Sequence, residues 1–160
     1  MSQKGSGKST GKELRIVSKK VISEDAVKKD LKKMKVLKII ESFKQISERS
    51  LSKLLYMLKE EKGIDVGYKF LMLGETPTSR GLAEDIRILL YLGLVETDPI
   101  TRRLRLTSNG LEFLEKNPPQ AEDLDELMQA VEEFKPKIEA EESAAELALG
   151  YRRRRRRFRR

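Results

Sequence analysis

The 160-residue sequence contains no cysteine, no histidine and no tryptophan, and only two asparagines. Without cysteine there is no disulfide, no thiolate zinc site and no thiol nucleophile. Without histidine the commonest general acid/base and metal ligand is missing as well. Catalysis would rest on carboxylates, lysines or hydroxyls, and none of these clusters with a readable spacing. The expectation is therefore a protein that is not an enzyme and uses no metal or cofactor. No run approaches the roughly 18–20 apolar residues of a membrane span, and the N-terminus lacks the apolar core of a secretory signal. A cytoplasmic, nucleoid-associated protein with no membrane partner is expected.

What is abundant is charge. Charged residues make up 38% of the chain, a bias that resembles hyperthermophilic, archaeal proteins. The net charge of +8 conceals blocks. Residues 1–38 carry 12 Lys/Arg against 4 Asp/Glu, and residues 39–119 carry 12 of each. Residues 120–151 then carry 2 bases against 10 acids, and residues 152–160 add eight arginines. Blocks of like charge repel themselves and usually stay disordered until a partner neutralises them.

The basic N-terminus includes Gly-Ser-Gly-Lys-Ser-Thr at 5–10, the tail of a phosphate-binding loop pattern. The full pattern needs a glycine five places before Gly7 and a strand ahead of it. Ser2 occupies that place, and no apolar strand precedes it. Lys8 and Lys12, with their basic neighbours, read instead as counterions of a flexible arm spanning 1–27.

Helical periodicity begins at Lys28, with Leu31, Met34, Val36, Leu37, Ile40 and Phe43 near one face. A second helix follows, capped by Ser47, striped by Leu51, Leu54, Leu55 and Leu58, and stopped at Gly63. Residues 64–78 read as a loop with a short strand. A third helix begins near Pro77 or Ser79, faces inward through Leu82, Ile86, Leu89 and Leu90, and ends at Gly93. Alternation on either side of Asp98-Pro99 predicts a β-hairpin with Arg103 and Arg105 pointing outward. Thr107 then caps a further helix that ends before Pro118-Pro119.

Three helices and a hairpin are the layout of a winged helix-turn-helix domain. The segments Tyr-Leu-Gly-Leu-Val at 91–95 and Arg-Leu-Arg-Leu-Thr-Ser-Asn-Gly-Leu-Glu-Phe-Leu at 103–114 resemble the end of winged-helix transcription regulators, many of them archaeal. The stretch 53–95 is also similar to Panacea-type antitoxin domains, although Glu75-Thr76-Pro77-Thr78-Ser79 lacks their glycine directly before the proline. The expected fold class is α+β and mainly helical, a winged helix-turn-helix at 28–117 with a C-terminal helical extension.

In such domains the third helix enters the major groove. That resemblance makes Arg80 and Arg87 candidate groove contacts and Thr78 and Ser79 candidate phosphate contacts. Thr101, Arg102, Arg103 and Arg105 form a basic strip at the wing. The strongest polyanion signal is Arg152, Arg153, Arg154, Arg155, Arg156, Arg157, Arg159 and Arg160, flanked by Tyr151 and interrupted by Phe158. Residues 150–160 are expected to form a disordered tail. Double-stranded DNA is the expected partner; structured RNA, or a protein docked on the neutral core, is the alternative.

The acidic extension at 120–149 places Leu124, Leu127, Val131, Phe134 and Ile138 on a heptad-like seam. Pro136 is expected to split it into two helices. The seam either packs back on the core or forms a homodimer through 121–138, with the dimer favoured. Its acids, standing next to the arginines, also suggest an internal clasp on the tail.

Overall fold

The computed structural model describes residues 23–158, with the side chains of Tyr151, Arg153 and Phe158 outside that description. Lys8, Lys12, Arg159 and Arg160 also lie outside the described residues. The protein is α+β and mainly helical. Helices α1 (Glu24–Lys28), α2 (Leu31–Phe43) and α3 (Glu48–Lys62) lead into strands β1 (Leu71–Leu73) and β2 (Thr76–Thr78). Helix α4 (Arg80–Tyr91), strands β3 (Val95–Thr97) and β4 (Leu104–Leu106), and helices α5 (Ser108–Lys116) and α6 (Leu124–Phe158) complete the order.

Local chemistry sets most of these boundaries. The side chains of Ser23, Asp30, Ser47, Ser79 and Thr107 each accept a hydrogen bond from a backbone N–H in the first turn of α1, α2, α3, α4 and α5 respectively. Each cap satisfies one of the four donors that a helix start leaves unpaired. Gly63 ends α3 at φ 69°, the left-handed conformation that glycine adopts without strain.

Helix α2 is the centre of the core. Met34, Val36, Leu37, Ile39, Ile40 and Phe43 are all buried, on more than one face, because α1, α5, α6 and β4 pack around it. Lys35 is consequently buried too, with its Nζ 3.2 Å from Asp123, just before α6. Two antiparallel hairpins join this core. The first pairs Leu71 with Thr78 and Leu73 with Thr76, so the anticipated loop contains two strands, and Pro77 lies in β2 rather than in α4. The second pairs Val95 with Leu106 and Thr97 with Leu104. Ile46, in the turn between α2 and α3, bridges Leu104 through N–H···O bonds of 3.0 and 2.8 Å. The β3–β4 hairpin is thereby tied to the start of α3.

Three expectations change. First, α6 runs unbroken from Leu124 to Phe158 with Pro136 inside it. Leu127, Ala130 and Val131 before the proline and Ile138 after it are all buried in the core, and this packing holds both segments in one helix despite the missing N–H donor. Second, the seam faces the chain's own core: Leu127, Val131 and Ile138 are fully buried, with Leu124 and Phe134 packed against the same cluster. The surface expected to pair two copies through 121–138 is thus covered in cis, and 120–149 shares a core with 28–117. Third, residues 150–158 are the last turns of α6, where a disordered tail is expected. Arginines at a helix C-terminus complement its dipole, which favours this ending. Helix α1, with Val27 buried, also carries the folded body into the expected 1–27 arm.

A buried polar network fixes α4 against α2. Asp85 lies between Leu82, Ile86 and Leu89 on the inward face of α4 and accepts a 2.6 Å hydrogen bond from Tyr68 Oη. Its other oxygen is 3.1 Å from Lys33 Nζ, which also donates to Asp30 at 2.6 Å. Burial and the hydrogen bond to Asp85 push the Tyr68 hydroxyl well above its ordinary pKa. Burial opposes the charge on Lys33, but its two carboxylate partners prevail and raise its pKa. Burial likewise opposes the charge on Asp30, and Lys33 with the backbone donors prevails and lowers it.

Candidate nucleic-acid interface

The outward face of α4 carries Arg80, Glu84, Arg87 and Tyr91, all exposed, at spacings of four, three and four residues that bring them into one stripe. Arg80 is 94% exposed at its side chain and lies 3.5 Å from Glu84. Arg87 has no carboxylate partner among the described residues. With Asp85 turned inward, Glu84 is the one acid on this stripe. The predicted inward position of Leu90 is only half-buried.

Thr78 and Ser79 are committed elsewhere. Thr78 Oγ1 donates to the Leu71 carbonyl across the β1–β2 hairpin at 3.0 Å. Ser79 is buried, and its Oγ accepts the Leu82 N–H as the α4 cap. In this arrangement the Thr78 hydroxyl proton is used within the hairpin, while Ser79 keeps its own proton but is buried. The local reason is the strand-to-helix turn, which needs both groups.

The β3–β4 hairpin is less basic on its surface than its sequence. Asp98 Oδ1 accepts the N–H groups of Ile100 and Thr101 at 2.8 and 3.0 Å and so shapes the tip. These backbone donors, with Arg105, hold its carboxyl below the usual range. Arg105 is paired with Glu96 and Asp98, each at 2.9 Å. Arg103 contacts Glu142 at 3.3 Å and Glu146 at 3.1 Å, both on α6. Thr101 is half-buried in the turn, where its Oγ1 accepts the Arg103 N–H. Only Arg102 stands exposed without a carboxylate partner, and it does so at φ 63°, a conformation unfavourable for a residue with a Cβ.

Arg49 links the two parts of this surface. It is exposed in the first turn of α3 and donates to Thr76 Oγ1 at 3.3 Å. On one side lies a cleft of about 520 Å³ lined by Arg49, Lys53, Thr76, Arg102 and Arg103 and by α6 glutamates. On the other lies a hollow of about 220 Å³ lined by Arg49, Thr76, Ser79 and Ala83. The start of α3, the first hairpin, the start of α4 and the tip of the β3–β4 hairpin therefore adjoin. Sequence reasoning missed Arg49 and Lys53. The available signal was an arginine in a first helical turn, where the helix dipole favours acids.

At the far end of α6, Arg152, Arg154, Arg155, Arg156 and Arg157 are exposed. Six consecutive arginines rise about 9 Å along a helix and face every direction around it. Five acids of the 120–149 segment pair with the body: Asp123, just before α6, with Lys35, Glu133 with Lys62, Glu141 with Lys53, and Glu142 and Glu146 with Arg103. Among the described residues, no helix is long and apolar enough to cross a membrane. No family model, curated protein or solved structure matches the chain.

Proposed function

We propose that this is a winged-helix nucleic-acid-binding protein acting on double-stranded DNA as a transcriptional regulator or chromatin-associated factor. The observation that carries the reading is the adjacency of the α4 start, Arg49 and the wing tip, which is the arrangement that a groove-reading helix flanked by a backbone-contacting wing requires. The order α2, Ile46 bridge, α3, α4, β3, β4 supports it, as does the exposed Arg80–Arg87–Tyr91 stripe. Helix α4 supplies base contacts, Arg49 and Arg102 supply phosphate contacts, and the arginines of α6 add sequence-independent affinity.

Arg102 supplies the test, because its strained backbone and its charge make opposite predictions for stability and binding. Arg102→Gly should leave stability unchanged or raise it by up to about 1 kcal/mol. Affinity for duplex DNA should fall, and the log–log salt slope should flatten by about 1. Fluorescence anisotropy with duplex DNA and structured RNA at matched salt makes the measurement. Unchanged DNA affinity would remove the wing from the interface, and a preference for RNA would replace DNA as the partner.

A protein-docking reading is favoured by one observation, the exposure of Leu71, Met72 and Leu73 along β1. Under that reading Leu71→Ser with Leu73→Ser abolishes partner binding while DNA binding persists.

A further inference from the structure

Of the four cations that line the cleft between the α3 start and the β3–β4 hairpin, Arg49, Lys53, Arg102 and Arg103, two are held by glutamates of α6. Glu142 is the most committed of these acids: its side chain is 6% exposed, although it belongs to the most acidic block of the sequence. One oxygen accepts the Ser47 N–H at 2.7 Å, at the start of α3, and the other lies 3.3 Å from Arg103 Nε. Glu146 meets the second arm of the same guanidinium at 3.1 Å. Glu141 meets Lys53 at 2.6 Å. Arg49, Ser50 and Arg102 line the same cleft.

A helix-start N–H, a forked guanidinium, an ammonium and hydroxyls converging on anionic oxygens are the donor set that binds a phosphodiester. We infer that the cleft between α3 and the wing is the backbone-phosphate cradle of the protein, and that Glu142 and Glu146 occupy it as intramolecular phosphate surrogates. The inference rests on the nucleic-acid reading above and adds to it a site and its competitor.

The segment that bears these acids is built to leave. Pro136 removes one backbone hydrogen bond from α6 just before it. Beyond the proline, Ile138 and Glu142 are the buried residues, and everything from 143 onward is half-exposed or exposed wherever it is described. A phosphate backbone that takes Arg103, Lys53 and the Ser47 N–H releases the segment, and with it the arginines at 152–157. The exchange trades contacts of like chemistry, so its direction follows polyanion concentration and salt.

The test compares the full chain with Glu142→Gln/Glu146→Gln, which keeps the shape and acceptor capacity at Ser47 while removing the charge. Glu126→Gln/Glu139→Gln, on exposed positions of α6 without ion pairs among the described residues, makes the same change in net charge. Duplex DNA binding is measured over a salt series. The cradle variant should bind about tenfold more tightly than the wild type at 0.1 M salt, with a slope steeper by about 1. The control variant should gain threefold or less. In the wild type, an excess of duplex DNA should shift the Ser47 amide resonance and raise its hydrogen-exchange rate.

Equal gains in the two variants, or an unperturbed Ser47 amide at saturating DNA, would overturn the surrogate role while leaving the nucleic-acid reading intact. Absence of nucleic-acid binding by all three proteins would overturn that reading, and the cradle with it.

Discussion

Gly110→Ala in α5 opposes two physical effects of known sign. A glycine in a helix is about 1 kcal/mol worse than alanine, so intrinsic propensity predicts stabilisation. The surroundings predict the reverse. Gly110 is buried, and a Cβ there would lie 3.0 Å from the carbonyl carbon of Leu94 and nearer still to its oxygen. That oxygen accepts the Thr107 N–H at 3.1 Å, while Thr107 Oγ1 donates to the Gly93 carbonyl at 2.6 Å. The obstruction is backbone, with no rotamer to relieve it, so α5 must separate from the start of β3. Overpacking of this kind costs about 1–3 kcal/mol, and weakening the Thr107–Leu94 bond adds about 1 kcal/mol. With the propensity gain subtracted, a net loss of about 1–3 kcal/mol is expected. Urea unfolding should show a lower midpoint at constant m-value. Gly81→Ala in α4 is the control, since its Cβ would meet Tyr68 at 3.6 Å, an ordinary contact; it should be neutral or mildly stabilising. A Gly110→Ala protein as stable as the wild type would refute the close approach of α5 to Leu94.

The Tyr68–Asp85–Lys33–Asp30 network should appear in the pH dependence of stability. The folded pKa of Asp30 is lowered, so its contribution is present above about pH 4 and is lost as pH falls through the folded value. Lys33 and Tyr68 are raised, so their contributions are complete below about pH 10 and are lost as pH climbs through the folded values. Tyr68→Phe should flatten the alkaline limb; identical alkaline profiles would contradict the network. Asp85→Ala leaves Lys33 and Tyr68 without their shared acceptor and should cost about 3–5 kcal/mol by chemical denaturation. Pro136→Ala restores a backbone donor at an exposed helical position and should stabilise the protein by about 1–3 kcal/mol. By holding the glutamate segment in place it should also weaken DNA binding, and a destabilised variant would speak against a helix that is continuous there.

Local chemistry was legible in the sequence wherever a residue acts on its own neighbours. Ser47, Gly63, Ser79, Gly93 and Thr107 delimit helices through capping groups one to three residues away, and the Leu51–Leu58 and Leu82–Leu89 stripes announce their buried faces by period alone. Asp85 was readable in principle, because it falls at an apolar position between Leu82 and Ile86. What stayed hidden depends on partners far along the chain. Lys35 and Arg103 count as surface cations until the positions of Asp123 and Glu142 are known. Pro136 reads as a helix end until Val131 and Ile138 are both seen in the core. Whether the acidic seam covers its own body or a second copy is a question of tertiary surface, and periodicity is the same in either case.

The hydrogen bond between Ser47 and Glu142 spans 95 positions, and this has a consequence for the order of synthesis. At about 5–20 residues per second, roughly 5–20 s separate the emergence of α3 from that of the helix that covers it. During that interval the hydrophobic side of α2 and α3 has no lid, and a nascent chain halted near residue 120 would expose it to aggregation. The stretch 28–117 is therefore not a unit that can be cut out. The acidic helix that follows completes its hydrophobic interior, so the folded state is reached only after the segment that restrains the cradle has been made.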